Sequence, residues 1–531
     1  MSYKNFGVLL CCASNGVMNV ASVKRMVDEI SKMGYNLLEL VIDDIYKIES
    51  EPYFGYLRGG YTKAEIQEMD AYAKSHGVEL VPVIQTLAHM TNLVKIPEYV
   101  DIVDIDDILL VDEPRTYELI DKMFASIADS FSTRKVNIGF DEAHKVGLGK
   151  YLDKHGYTDR FSLLLRHLQR VAEIGGKYGF KIHMWSDMFF RLANRGEYWD
   201  KNVHIPEDIR SEIPKNIELC YWNYYSDDED MYDAMLASHE EFDNELWFAG
   251  GAWTWNGFAP CNRFSLKTML PAMKQVRNHQ IENVLVTVWG DDGHDCSYFS
   301  VLPSLYAIRQ YADGQYDEDV IRQGFQETFG VSFDDFMILD LPNKNRVNDR
   351  LELSDNACKV LLFNDCFLGM KDVAAQDALP VPFEKYAEIL EKTGTRMGEY
   401  QYLYDNLAAL CHVLAVKAEL GIKTRKAYQD GDKSRLQELI ADYTETIKRI
   451  SKFRDTLRTV WMRDNKPYGW DIHEIRLGGL QARMRDCIQR IEEYLDGNVT
   501  NIPELEEQLL PYAPWGMQQN FYRRFVTVSQ L

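Results

Sequence analysis

Val136-Asn137-Ile138-Gly139-Phe140-Asp141-Glu142-Ala143 is a short apolar run that ends in two adjacent carboxylates. Neighbours on a strand point to opposite faces, so both acids can reach one place only where the strand gives way to loop. By itself the pair also fits the cap and first turn of a following helix, where acids complement the helix dipole. The rest of the chain decides between these readings.

Apolar, β-branched runs like this one recur at residues 6–12, 36–42, 78–84, 180–185, 217–222, 246–249 and 284–289, and with 136–140 they number eight. Amphipathic segments separate them. Between the first two, Val20, Val23, Met26, Val27, Ile30 and Met33 keep helical spacing, and Gly34 follows as a stop signal. Such alternation marks a parallel α/β architecture. Eight repeats predict a closed (β/α)8 TIM barrel, with its active site where the carboxyl ends of the strands meet. Just past those ends stand Ser14, Asp43 with Asp44, Gln85 with His89, Asp141 with Glu142, Asp187, Asn223, Trp253 with Trp255, and Asp291.

After about residue 340 the strand-like runs stop, and helical stretches are expected at 383–410, 411–430, 433–462 and 478–495. The predicted organisation is a catalytic barrel over 1–335 and an all-helical C-terminal domain over 336–531. One stretch of the helical part, Trp461 to Gly479 (WMRDNKPYGWDIHEIRLGG), is rich in aromatics and glycine and is expected to pack against the barrel or edge the site.

The length of 531 residues exceeds what one core usually serves. Acidic residues outnumber basic ones 82 to 59, a net charge of -23 that opposes nucleic acid and anionic membranes as partners and suits a small neutral ligand. No apolar run reaches transmembrane length. The short run after Lys4 reads as a buried strand rather than a signal peptide. Nine cysteines at scattered spacing, without CxxC pairs, read as reduced thiols, and the expected compartment is the cytoplasm. A homodimer is left open.

Four successive strand ends carry tryptophan beside polar groups: Trp185-Ser186-Asp187, Tyr221-Trp222-Asn223, Trp253-Thr254-Trp255 and Trp289-Gly290-Asp291. Aromatic faces cover the apolar faces of a pyranose while carboxylates and amides take its hydroxyls. At these positions residues 5 to 335 resemble glycoside hydrolase family 20, the β-N-acetylhexosaminidases. The family's HxGGDE signature corresponds to Asn137–Glu142, its PEIDMPGH stretch to Pro82–His89, and its WxE/D motif to Trp289-Gly290-Asp291.

The resemblance implies a retaining reaction without a protein nucleophile, in which the substrate's acetamido oxygen attacks the anomeric carbon. Asp141 would orient that group and Glu142 would act as acid and then base, with the adjacent carboxylate favouring Glu142's protonated form. Trp185, Trp222, Trp253, Trp255 and Trp289 are the implied walls. Tyr221 would bond the acetamido carbonyl, Asn223 and Asp291 the ring hydroxyls, and His89 with Asp44 would form a buried relay behind the acid. No cofactor or metal is implied.

Two positions depart from the pattern. Ser14 stands where an arginine usually grips O3 and O4, and a short hydroxyl cannot replace a bidentate cation; Arg58 is the candidate to approach from another side. Asn223 replaces a carboxylate near O6, which predicts tolerance of a 6-sulfated sugar. The missing arginine, together with Asn137 in place of the family's histidine, motivates a second reading, a sugar-binding barrel without turnover. A third, a metal-dependent barrel enzyme, would draw on His89, His144, His183, Asp187, Asp291 and His294. No HxH or HExxH spacing supports it, and His144, His183 and His294 are expected as scattered surface or loop residues.

Overall fold

A computed structural model of the chain describes residues 2–511, 516–519 and 521–529. Eight parallel strands close into a barrel: β1 (Asn5–Cys11), β2 (Leu37–Val41), β3 (Glu79–Val83), β4 (Lys135–Asn137), β5 (Lys181–Trp185), β6 (Ile217–Trp222), β7 (Leu246–Gly251) and β8 (Asn283–Val288). Each strand lies beside its sequence neighbour, and β8 returns to β1. Val8, for example, sits opposite Val286 on one side and Leu38 on the other. Buried on both faces, these strands are continuous apolar runs rather than alternating ones.

The first helix, Val20–Lys32, shows how the outer layer is specified. The Asn19 side chain accepts the Ser22 N–H at its start, and Val23, Met26, Val27 and Ile30 turn one apolar stripe onto the barrel. The barrel interior is not wholly apolar. His183 Nε2 lies 2.7 Å from Glu39 Oε1, both fully buried, with the His183 ring stacked 4.7 Å from Trp247. His183 is therefore an interior group rather than the surface or loop residue expected, and His294 is buried as well.

The fourth strand is shorter than the expected 136–140. It stops at Asn137 because Gly139 and Phe140 have φ of 74° and 76°, which no strand accommodates. The helical half differs from its expected boundaries too. The stretch 383–410 divides into Phe383–Gly394 and Gln401–Lys417, with Gly398 at φ 53° in the turn between, and the next break falls at Ala418–Glu419 before Leu420–Gln429. Two long helices follow, Lys433–Asp464 and Trp470–Leu495.

One hydrophobic core runs through both halves. Phe258 of the barrel packs against Phe363 and Phe453, with ring centroids 6.1 and 5.2 Å apart. The 461–479 stretch meets the loop after β1: the Lys466 N–H donates to the Val17 carbonyl at 2.7 Å, and the Asn19 N–H to that of Asp464 at 3.1 Å. Among the described residues no helix is long and apolar enough to cross a membrane. All nine cysteines are buried and unpaired.

Candidate active site

The carboxyl ends of the strands open onto a cleft of about 430 Å³. The end of β4 delivers its acids by a backbone that turns left-handed three times, at Gly139, Phe140 and Glu142. The turn is held locally. Asn137 Oδ1 accepts the Gly139 N–H at 2.9 Å, Thr86 Oγ1 donates to the Ile138 carbonyl at 2.9 Å, and the Glu142 N–H donates to Asp187 Oδ2 at 3.2 Å. A side chain at Gly139 would run into Gln85. Positive φ at non-glycine residues is strain that only surrounding structure sustains, and here it lets neighbouring Asp141 and Glu142 line one cleft.

The two acids sit in different surroundings. Asp141 Oδ2 is 3.2 Å from His89 Nε2, and Gln85 Nε2 donates to its other oxygen at 3.4 Å. Burial alone would raise its pKa, but the His89 cation and these hydrogen bonds hold it below the usual carboxylate range. Burial likewise works against charge on His89, yet the Asp141 carboxylate pushes its pKa up to about 10. Glu142 is more open, its side chain 43% exposed, with His89 Nε2 at 3.8 Å and Arg191 Nη2 at 3.6 Å. Arg191 also donates from Nε to Asp187 Oδ2 at 2.8 Å, so it joins Glu142 to a fully buried carboxylate behind it. Burial and the Asp141 charge raise the Asp187 pKa to about 7 despite Arg191.

Across the cleft, burial raises Asp291 to about 7, helped by the Glu142 and Asp292 charges and opposed by the His89 cation. Burial and the adjacent Asp44 raise Asp43 to about 8, and Asp43 Oδ1 finds no hydrogen-bond partner among the described residues. Aromatic walls enclose these acids. Trp185 and Trp289 have ring centroids 6.1 Å apart, Trp222 stacks 5.6 Å from Tyr224, and Tyr224 meets Trp255 edge-on at 5.2 Å. The indole N–H groups of Trp185 and Trp222 are buried without a described partner, which leaves donors as well as acceptors at the cleft.

Of the residues given a role in the sugar site from sequence, Asp141, Glu142, His89, Trp185, Trp222, Trp255, Trp289 and Asp291 line the cleft. Five others do not. Arg58 spends its guanidinium on Asp44, at 3.1 and 3.3 Å, and on the carbonyls of Ser14 and Ala13, bracing the loop after β1. The same clamp occupies Asp44, so His89 pairs with Asp141 and the His89–Asp44 relay is not formed. Tyr221 is fully buried, its hydroxyl accepting from Asn223 Nδ2 at 3.0 Å. Asn223 turns its oxygen to the N–H groups of Tyr225 and Ser226, which removes the ground for reading it as an O6 contact. Trp253 stacks behind Trp255 at 4.2 Å and donates to the Tyr224 carbonyl. Asp43 and Gln85, noted at strand ends but given no role, also line the cleft, as do Tyr224, Tyr225, Lys95 and Phe521.

Comparison with known proteins bears on this arrangement. Residues 7–234 match the family model described as the catalytic domain of glycosyl hydrolase family 20, and residues 334–523 match that of the glycoside hydrolase 20C C-terminal domain. The chain belongs to glycoside hydrolase family 20. The second match carries the family into the helical half, beyond the 5–335 over which the resemblance was read. Similarity to characterised proteins is lower. A beta-hexosaminidase from Vibrio furnissii is 26% identical over 214 residues, covering 32% of this chain and 35% of that protein. Hexosaminidase D from Bos taurus is 22% identical over 307 residues, covering 52% of this chain and 80% of that one. The chain thus spans about a third of the first relative's length. Among solved structures, a chitobiase from Flavobacterium johnsoniae aligns over 95% of this chain and 74% of its own, at 16% identity and a TM-score of 0.48. A family 20 exo beta-N-acetylglucosaminidase from Vibrio harveyi aligns over 63% and 58%, at 15% identity and a TM-score of 0.47. Among the described residues no group of three His, Cys, Asp or Glu side chains is placed to hold a metal ion.

Proposed function

We propose that this chain is an exo-acting, retaining β-N-acetylhexosaminidase that removes terminal β-linked N-acetylglucosamine or N-acetylgalactosamine by substrate-assisted catalysis. The observation that carries the reading is the unequal environment of two adjacent acids in one tryptophan-walled cleft. Asp141 is bound by His89 and Gln85, which suits a fixed anion better than an attacking nucleophile. Glu142 is open to the cleft, which suits a group that exchanges protons with substrate and water.

In this reading Asp141 orients the acetamido group, whose oxygen bonds to the anomeric carbon as the glycosidic C–O bond breaks. Glu142 gives its proton to the leaving oxygen. Water then adds to the anomeric carbon, returning a proton to Glu142 and opening the oxazolinium ring, so configuration is retained. With Asn223 turned to the backbone N–H groups of Tyr225 and Ser226, the ground for expecting a 6-sulfated sugar is gone, and the reading takes an unsulfated hexosamine as substrate. Nine buried, unpaired thiols suit a reducing compartment such as the cytoplasm.

The test is turnover of 4-nitrophenyl N-acetyl-β-glucosaminide and galactosaminide. Glu142→Gln should cost about 100- to 10,000-fold on substrates with poor leaving groups, Asp141→Asn should slow ring formation, and an oxazoline-mimicking thiazoline should inhibit the wild type. Full activity in either variant would falsify the assignment. One feature favours a second reading, a binding protein without turnover: with Arg58 committed to Asp44, no arginine among the described residues lines the cleft beside Ser14. Sugar binding by the wild type with no release of 4-nitrophenol would establish that alternative.

A further inference from the structure

The turn after β8 has an unusual backbone and an unusual set of partners. Asp292, Gly293 and His294 have successive φ of 43°, 123° and 56°. Two are not glycine, and L residues hold that conformation in sequence only when something outside the turn enforces it. The His294 ring packs edge-on against Tyr298 of the barrel, 4.5 Å away, but the groups that bond Asp292 come from the helical half. Arg476 donates to the Asp292 carbonyl at 2.7 Å and to its Oδ1 at 2.9 Å. Lys359, fully buried, reaches Asp292 Oδ2 at 3.0 Å and Asp295 Oδ2 at 2.7 Å. The Tyr522 N–H donates to Asp292 Oδ2 at 2.6 Å. Arg476 belongs to the stretch 461–479 whose composition stood apart in the sequence.

The residues that this turn carries face the cleft. Trp289, Asp291 and Asp292 line it, and Phe521, next to the Tyr522 that anchors the turn, lines it from the far end of the chain. A cation and a cation–backbone pair on one aspartate neutralise a charge that would otherwise crowd Asp291, and they fix the direction in which Asp291 leaves the backbone.

We infer that Arg476 and Lys359 are positioning residues for substrate: by gripping Asp292 from the helical domain they set Asp291 against the terminal sugar, so the glycosidase site is assembled across both halves of the chain. The inference rests on the hexosaminidase reading above. Neither cation touches the cleft itself, so both act through Asp291 and its turn.

The experiment is a double-mutant cycle on the full-length chain between Arg476→Met and Asp291→Asn, read as kcat and KM for 4-nitrophenyl N-acetyl-β-glucosaminide, with thermal melts alongside. If Arg476 works through Asp291, each single change lowers kcat/KM by about 10- to 100-fold, mostly through KM, and the double variant is within about 3-fold of Asp291→Asn alone. Losses that multiply, or a folded Arg476→Met within about 2-fold of wild type, overturn the inference.

Tyr522→Pro supplies a second reading if Arg476→Met does not fold. Tyr522 opens a short 3-10 turn, where proline is tolerated, and the change removes both the N–H bonded to Asp292 and the ring over which the Arg476 guanidinium sits at 4.7 Å, loosening the grip on the turn while leaving every charge in place. It should raise KM measurably and lose that effect in the Asp291→Asn background; an unchanged KM counts against the inference. If the wild type turns over no aryl hexosaminide, the functional reading has failed. The same cycle is then read as N-acetylglucosamine binding by tryptophan fluorescence, where additivity alone defeats the positioning role.

Discussion

Three carboxyls at the cleft hold their protons unusually well: Asp43 at about 8, and Asp187 and Asp291 at about 7. Each is raised above its unfolded value, so between pH 4 and 8 the native state binds protons that the unfolded chain has released, and stability falls as pH rises through that window. Asp43→Asn cannot ionise and should remove its share. Its melting temperature should match wild type at about pH 3.5, below the unfolded value, and exceed it by about 1–3 °C at pH 8.5, and a gap independent of pH would count against the mechanism. His89 is also raised, as a cation that gains a partner, so its contribution is complete below about pH 6.5 and is lost as pH rises to about 10. The deficit of His89→Gln should be largest near pH 6 and vanish above pH 10. At this scale the sequence was informative where chemistry is rare and poor where neighbours are alike. Asp141, Glu142 and His89 follow strand ends and could be read there. Asp43 and Asp44 are adjacent acids, and only the folded loop shows that Arg58 takes one and the cleft the other. Residues 221–225 are all aromatic or amide, so a shift of a few positions exchanged Tyr221 and Asn223 for Tyr224 and Tyr225. Arg191 left one sign, its i, i+4 spacing from Asp187 on a helix.

Among the elements, the end of β4 controls most. Its three ladder residues are followed by a backbone whose shape depends on Gly139, which has φ 74° and no room for a methyl group beside Gln85. Gly139→Ala should therefore cost about 1–3 kcal/mol and reduce kcat more than its fall in melting temperature explains, because Gln85 would be pushed from Asp141. Parallel melts and kinetics check this; activity lost only in proportion to unfolded protein would show that the turn has no part in the chemistry. The β/α elements were legible because apolar runs and helical stripes differ in period. The exact end of β4 was not, since Ile138 and Phe140 continue the apolar pattern while the backbone has already left the strand. The helical half blurred for a related reason. Its helices abut through short turns, and apolar residues continue at helical spacing across the break at 418–419.

For the whole molecule, the shared core makes the two halves one packing unit, and the nine thiols report on it. All are buried, and burial raises their pKa values, Cys12 to about 12. A thiol reagent such as Ellman's should label fewer than about one cysteine per native chain, because reaction needs an accessible thiolate, and all nine after denaturation. Rapid labelling of several in the native protein would indicate that the halves separate in solution. Fold class was readable from the count of eight runs, and the composition of 461–479 pointed to packing on the barrel, but the partners that join the two halves were not readable. Their union depends on contacts such as Phe258 with Phe453 and Asp292 with Arg476, which join positions far apart in the chain and leave no local pattern.

The grip on Asp292 also puts the molecule's parts in a temporal order. Its last anchor, the Tyr522 N–H, lies 230 residues downstream. At a synthesis rate of roughly 5–20 residues per second, the turn emerges about 10–50 s before the chain that fixes it. During that interval a nascent chain can already have its eight strands while its sugar site is unfinished. Competence for substrate would then arrive well after closure of the barrel, as an event separate from it.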